Sequence, residues 1–394
     1  MDRLAPESLQ CIAAYVADAN ELVAFLRLLP TTALGPSFSV LVTTRRLHRR
    51  WPRFFMDADV GGDDIVALQS LVTSVHVPSL KALYQVTSNA VLRSHVLIQL
   101  VPPIHPYKLQ HPVLLHVRSR LSCLHLAIPT MEMPAPRIKA LISFLAACPR
   151  LLTLHLAWRV QLQPAVLQAL VDKAVIAQGL TELALQSDVT YELPDALASD
   201  LACWIQQRPS LTTLKLESIA MTDAASKNVF ATLLALPQLT TLSLQSSAAL
   251  AAQCWRPQRL PSQLRTLDIS AWDGRASMDA IVALRTVPHL RDFALRGHAN
   301  VDFSFEIPRR LHRLSLCVGQ VPSSRSWWEA LPSSLHDLEL QLGRGDDDVA
   351  LLTACLLRLP KLQRLTLNES NITCDGAIQL AAVLPHCQLQ SLPL

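Results

Sequence analysis

The sequence is poor in aromatic residues and in glycine. Aromatic residues make up 5% of the 394 residues while hydrophobic residues make up 50%, so the apolar content is mainly aliphatic. The ten glycines are dispersed, and the chain contains no phosphate-binding loop, nucleophile motif or metal-ligand spacing. These absences argue against an enzyme and against a bound cofactor or metal.

Strong charge, paired cysteines and long apolar runs are also missing. The formal net charge of +4 is small for this length, so no nucleic-acid partner is expected. The nine cysteines are odd in number and never form C-x-x-C, which is typical of reduced core residues in a cytoplasmic or nuclear protein. Neither an apolar signal region nor a membrane-spanning run of about 18 residues occurs, so we expect no membrane partner.

A leucine pattern, L-x-x-L-x-L or a close variant, recurs from residue 121 to residue 394. It occurs eleven times, at intervals that fit leucine-rich repeats of roughly 20 to 30 residues. The copies begin at Leu121, Leu151, Leu180, Leu211, Leu239, Leu264, Leu290, Leu311, Leu335, Leu362 and Leu389. Such regularity predicts a repeat protein that grows along one axis.

Within each copy, the two leucines of L-x-L lie on one face of a short strand, because side chains alternate along a strand. Strands pair about 4.8 Å apart whereas helices are about 10 Å wide, so the array should curve. The predicted fold class is α/β: a horseshoe-shaped leucine-rich-repeat solenoid with a parallel sheet on its concave face. Helices and irregular segments would form the convex face.

The last repeats resemble the ribonuclease-inhibitor type of leucine-rich repeat. In LTLNESNITCDGAIQLAAVL, Ile372 and Gly376 match the apolar and turn positions of that family, and the resemblance covers residues 121–394. The family often places an asparagine three residues after the strand's last leucine. The matching positions here hold other residues, Ser247 among them, so we expect no asparagine ladder.

The position of proline predicts the structure of the segment that leads from the end of one repeat strand to the start of the next. Long repeats carry Pro two residues before the first leucine, as at Pro237 after NVFATLLAL, which predicts a helix that proline ends. The short repeats, with LAAQCWRPQR, HANVDFSFEI and QVPSSRSWWEA, are expected to return through 3₁₀ turns or irregular segments. Because the chain ends on a strand leucine, a partner covers that edge or the gene product is truncated.

Three regions are predicted: a small all-α module at 1–56, degenerate first repeats or a connecting segment at 57–120, and the repeat array at 121–394. In the middle region, LVTSVHV and VLIQLV fit degenerate repeat strands. In the first, LAPESL and VTTRRLHRRW resemble the opening and closing elements of an F-box.

The F-box resemblance implies a docking surface for the Skp-type adaptor of a cullin-RING (SCF-type) ubiquitin ligase. Its apolar residues would be Leu4, Pro6, Leu9 and Ile12. The repeats would then select an unknown target protein. The alternative is that these helices only cap the first strand of the solenoid.

Eight residues on the predicted concave face are candidates for target binding. Arg265, Arg291, His312 and His336 occupy the second position of successive copies, where they could receive an acidic partner segment. At the third position, Asp292, Arg313, Asp337 and Arg364 alternate in sign, which favours cross-strand charge pairing.

Four other features have a functional and a structural interpretation. The pair His125 and His155 could share a metal but lacks a further ligand, and the run RRLHRR is either a localisation signal or a solvated helix face. The acids of GRGDDD are expected to cap a helix that begins near Val349. A GTPase activator would need an exposed arginine at one rim, for which Arg159 is the candidate.

Three functions therefore remain open. The first is a ligase substrate receptor with separate adaptor and target sites. The second is a single-site scaffold or regulator without ligase association. The third is a GTPase activator, which no further feature of the sequence favours.

Overall fold

The structure is a computed structural model that describes part of the chain in detail. The described residues are 54–55, 74–77, 83, 97–100, 103–128, 134–158, 167–168, 179–254, 260–270, 284, 287–297, 307–318, 324–368 and 371–392. The predicted adaptor-docking residues Leu4, Pro6, Leu9 and Ile12, the run RRLHRR and Arg159 lie outside the described residues.

The chain divides into two compact units. The first comprises Met1–Leu156 and Ala174–Leu180, and the second comprises Ala157–Lys173 and Thr181–Leu394. None of the described helices is long and apolar enough to cross a membrane.

Short parallel strands organise the first unit. Its strands are β1 (Phe54–Phe55), β2 (Ser74–Val77), β3 (Leu97–Leu100), β4 (Leu121–Ile128) and the first part of β5 (Thr153–Trp158). They pair in chain order. Its helices are α1 (Pro112–Val117) and α2 (Ala135–Ala146), with 3₁₀ turns at Pro106–Lys108 and Arg118–Arg120. Strands β2 and β3 lie in the two segments predicted as degenerate repeat strands.

The described part of the second unit contains eight further strands in chain order, β6 to β13. They are β6 (Glu182–Glu192), β7 (Thr213–Ala220), β8 (Thr241–Gln245), β9 (Thr266–Ser270), β10 (Asp292–Gly297), β11 (Arg313–Val318), β12 (Asp337–Leu340) and β13 (Arg364–Leu367). Each neighbouring pair is parallel. The predicted α/β architecture with a parallel repeat sheet is confirmed.

Helices of unequal length connect these strands. They are α3 (Asp195–Gln206), α4 (Asp223–Leu234), α5 (Ala248–Cys254), α6 (Arg325–Glu329), α7 (Asp346–Leu356) and α8 (Cys374–Val383), which a 3₁₀ turn follows at Leu384–His386. Helix α4 ends three residues before Pro237, so the helix predicted from NVFATLLAL is confirmed. Its N-cap Thr222 accepts a hydrogen bond from the Ala225 amide at 3.2 Å.

The leucine pattern aligns from strand to strand, which builds one continuous core in the second unit. Leu214 pairs with Leu183 on one side and Leu242 on the other. Leu183, Leu185 and the first, fourth and sixth positions of the copies from Leu211 to Leu362 are each at most 3% exposed. Burying an aliphatic side chain contributes about 1.5–3 kcal/mol, so this alignment is the main source of the sheet's stability.

A repeated backbone contact sets the start of each strand. The carbonyl at the second position of one copy accepts hydrogen bonds from the second and third amides of the next. Thr181 O, for example, accepts from the amides of Thr212 and Thr213 at 2.8 and 3.0 Å. Since the same pattern continues to Gln363 O, second-position side chains stand in a row along one edge of the sheet.

The prediction for the short repeats is wrong in two of three cases. Residues predicted to form 3₁₀ turns or irregular segments form the short α-helices α5 and α6 instead. An α-helix rises only about 1.5 Å per residue, so one or two turns fit even a short return. The segment HANVDFSFEI lies mostly outside the described residues.

The GRGDDD segment also differs in detail from its prediction. Helix α7 begins at Asp346, three residues before Val349, and Gly345 is its N-cap. Asp348 accepts from the Arg344 amide at 2.9 Å and so serves the helix start, as expected. Asp346 instead accepts hydrogen bonds from the amide and hydroxyl of Thr373 in the next repeat.

Gly376 does not occupy a turn. It is the third residue of α8, and a Cβ at this position would overlap the carboxylate of Asp346. Glycine leaves room here for the Asp346 carboxylate of the preceding repeat, which accepts a hydrogen bond from the Gly376 backbone.

Ser247 takes the bonding role that an asparagine has in the resembled family. It is fully buried. Its Oγ accepts a hydrogen bond from the Ile219 amide at 3.2 Å and donates one to the Leu216 carbonyl oxygen at 3.3 Å. The sequence has no asparagine at this position, and a serine ties two neighbouring loops together instead.

Candidate binding face

The strand face of the second unit consists of the side chains that lie between the buried leucines. Two of its rows run across the strands from β6 to β13: the second-position row and the third-position row of the leucine pattern. All eight residues predicted for target binding lie in these rows.

The third-position row alternates in sign, and part of it is neutralised. Asp292 pairs in register with Arg313, Arg313 with Asp337, and Asp337 with Arg364. Arg364 lies 3.6 Å from the Asp337 carboxylate. Arg313 approaches Glu339 at 3.9 Å, and Asp292 accepts a hydrogen bond from the hydroxyl of Thr266 at 3.1 Å. Cross-strand pairing as predicted is present for Arg364 and Asp337, whereas Arg313 has a different partner.

The second-position row opens into a basic groove. This groove has a volume of about 650 Å³. It is lined by Thr212, Pro237, Gln238, Thr240, Gln263, Arg265, His289, Arg291, Arg309, Arg310, His312 and Ser334. Its lining includes four arginines and two histidines but no aspartate or glutamate. The predicted residues Arg265, Arg291 and His312 are thus brought together.

His336 lies beside the basic groove rather than in its lining. Its Nδ1 is 2.8 Å from the Ser334 carbonyl, and its ring centroid is 5.1 Å from that of His312. The ring therefore packs along the row and extends the surface by one strand.

The structure adds groove residues that the sequence reasoning missed. Gln238, Gln263, His289, Arg310 and Ser334 each directly precede the first leucine of a copy. This position belongs to the turn before the strand and faces the same edge as the second-position row. The signal was present in the alignment of the copies, because one register position recurs in every turn.

An acidic cluster lies in the middle of the strand face, around Arg296. Its members are Glu217, Asp268 and Glu339. Burial, and then the charge of Asp268, raises the pKa of the Glu217 carboxyl. Burial also raises the pKa of Asp268, although Arg296 and a hydrogen bond from Gln245 at 2.7 Å favour its ionised form.

Glu339 differs from the other two acids. Burial alone would raise its pKa, but hydrogen bonds from Ser315 and Asn368, together with Arg296 and Arg313, lower it. The Asn368 amide donates to Glu339 Oε1 at 2.7 Å. The strand face therefore has a basic edge and an acidic centre, and sequence reasoning identified only the edge.

The histidine pair of the first unit forms a ring stack. The ring centroids of His125 and His155 are 4.1 Å apart with an angle of 22° between the planes. Within the described part of the chain, no group of three or more His, Cys, Asp or Glu residues could hold a metal ion.

No protein-family model matches the sequence, and no curated protein matches it. A solved structure, the complex of Rad7 and Elc1 in yeast, contains a chain of similar backbone arrangement. The two chains are 15% identical with a TM-score of 0.49, and the match covers 98% of this chain and 92% of that chain.

Proposed function

We propose that this chain is a protein-binding subunit that recognises a target protein through the strand face of its second unit. The basic groove is the observation that carries this proposal. Its four arginines come from successive repeats and lie exposed directly before β9 and β10 or in the turn before β11. A concentration of like charge on one surface favours an oppositely charged partner. The proposed role is binding rather than catalysis, in the cytoplasm or nucleus.

The finer proposal is that the chain is the substrate-recognition subunit of a cullin-RING (SCF-type) ubiquitin ligase. An F-box-like module at 1–56 would dock a Skp-type adaptor, and ribonuclease-inhibitor-type repeats would hold the target. Two separable binding sites follow from this arrangement. The support is the F-box resemblance of LAPESL and VTTRRLHRRW ahead of a leucine-rich repeat array.

A co-purification experiment with the full chain tests the ligase role. A Skp-type adaptor is the first bait, and Elc1 is the second because it is the partner in the similar structure. We expect the adaptor to capture the unmodified full chain but not the Leu9→Asp, Ile12→Asp variant. Burying an ionised aspartate in an apolar interface costs free energy, so the variant should bind weakly.

The matched control is Gln10→Asp with Ala14→Asp, which adds the same charge on the other side of the predicted helix. Circular dichroism establishes that both variants remain folded. Failure of both baits to capture the intact chain, or equal loss in the two variants, would contradict adaptor docking. The second candidate function, a single-site scaffold whose N-terminal helices only cap the solenoid, would then stand.

A further inference from the structure

We infer that the basic groove binds an extended, carboxylate-rich segment of the partner protein. This inference rests on the proposed protein-binding function and names the chemistry of the segment that the strand face receives. The groove residues that argue for it are Arg265, His289, Arg291, Arg309, Arg310 and His312, and all six are exposed.

The contrast between the two neighbouring rows is the first argument. Arg313 and Arg364 in the third-position row approach carboxylates of adjacent strands at 3.9 and 3.6 Å. No described acidic residue forms an ion pair with any of the four groove arginines. The same sheet thus neutralises part of one row and leaves the next with like charges side by side, an arrangement that a bound anion would relieve.

The spacing of the groove residues fits an extended peptide. Arg265, Arg291 and His312 occupy the second position of the copies that form β9, β10 and β11, which pair as neighbouring strands. Adjacent strands lie about 4.8 Å apart, and every second side chain of an extended peptide recurs after about 6.7 Å. Long arginine side chains cover this difference, so carboxylates on alternate residues of a segment lying across the strands would each reach a guanidinium or imidazole group.

Neutral groups complete the groove floor. The hydroxyls of Thr212 and Thr240 donate to the backbone carbonyls of the preceding copies at 3.1 and 3.2 Å, which fixes their oxygens. Gln238 and Gln263 add side-chain amides that can bond a peptide backbone. The site therefore offers both charge for side chains and hydrogen bonds for a main chain.

A peptide fits this surface better than a nucleic acid does. The groove lining contains no Trp, Tyr or Phe on which bases could stack. The acidic cluster of Glu217, Asp268 and Glu339 lies further along the same strands, where it would repel a continuous phosphate backbone. A short acidic segment can remain at the basic edge.

Fluorescence anisotropy of a labelled peptide of alternating Glu and Gly, titrated with the full chain, tests the inference. We expect saturable binding that weakens as salt is added, and no binding of the matching Gln and Gly peptide. The double variant Arg265→Gln, Arg291→Gln should bind roughly tenfold more weakly, because two charge-assisted contacts are lost.

The control variant Arg137→Gln, Lys227→Gln removes the same charge from exposed positions on α2 and α4 and should bind as the unmodified chain does. Absence of saturable binding, or an equal loss in the control, would overturn the inference. So would equally tight binding of single-stranded DNA that the same groove variant weakens. If adaptor capture fails while the peptide still binds, the ligase role falls and the groove assignment stands.

Discussion

Asp268 shows how a single side chain on the strand face couples stability to pH. Its carboxyl is partly buried beside Arg296, and one of its oxygens, Oδ1, has no hydrogen-bond partner among the described residues. Burial raises its pKa despite the nearby cations, so the folded state binds this proton more tightly than the unfolded chain does. Ionised Asp268 therefore destabilises the fold once the pH exceeds the folded pKa.

We predict that Asp268→Asn increases the free energy of unfolding near neutral pH, because it removes this ionisation. The gain should shrink as the pH falls toward about 3, where the aspartate is protonated in both states. Urea unfolding of the full chain at several pH values measures the difference. Asp200→Asn, at an exposed position on α3, is the control, and the same pH trend in that variant would contradict the prediction.

At the scale of the element, the helix starts depend on contacts between repeats. Gly345 precedes α7 with φ 58° and ψ −120°, a conformation that L side chains rarely adopt. A Cβ at this position would also overlap the carbonyl oxygen of Asn371 in the next loop. The glycine therefore meets two requirements at once, one of the turn and one of the neighbouring repeat.

Gly345→Ala is expected to lower the free energy of unfolding by roughly 2 kcal/mol or more through backbone strain and steric overlap. Thermal or urea unfolding checks this value. Gly179→Ala is the matched control, since its Cβ would meet nothing closer than Leu152 Cδ2 at 4.0 Å. The control should change stability by less than about 1 kcal/mol. Equal effects of the two substitutions would contradict the assignment of strain to Gly345.

At the scale of the whole molecule, cysteine burial gives a readout of both units in one experiment. All eight described cysteines are free thiols. Cys148 lies in the first unit and Cys355 in the second, and in each case burial raises the pKa of the thiol to about 12. Burial also raises the pKa of the Cys254 thiol. By contrast, Cys203 and Cys374 are exposed.

We predict that iodoacetamide labels Cys203 and Cys374 in the folded chain near pH 8, where the buried thiols remain protonated and inaccessible. Cys148, Cys254 and Cys355 should react only when urea unfolds the unit that contains each of them. Peptide mapping by mass spectrometry measures the extent at every site. Labelling of the three buried thiols at the rate of the exposed ones would contradict the described core.

Much of the fold was determined by the sequence alone. Aliphatic residues at fixed positions can be buried in only one way when a strand alternates its side chains, so the ten leucine copies from Leu121 to Leu362 predicted strands, their parallel order and the core. The copy at Leu389 forms only an isolated bridge between Ser391 and Arg364. The helix before Pro237 was equally predictable, because proline excludes the helical conformation from the residue before it. The alternating row from Asp292 to Arg364 also appeared in the sequence, since one register position repeats in every copy.

Only the tertiary structure decided which charges are paired and which are left exposed. Arg313 contacts Glu339 rather than Asp337, and Ser247 bridges two loops, because side-chain distances between repeats depend on how each return segment packs. The basic groove also joins turn residues such as His289 and Arg310 to Arg291, which directly precedes β10. Strand periodicity describes only the residues within a strand, so the contribution of the turns became visible only where folding places them at the same edge.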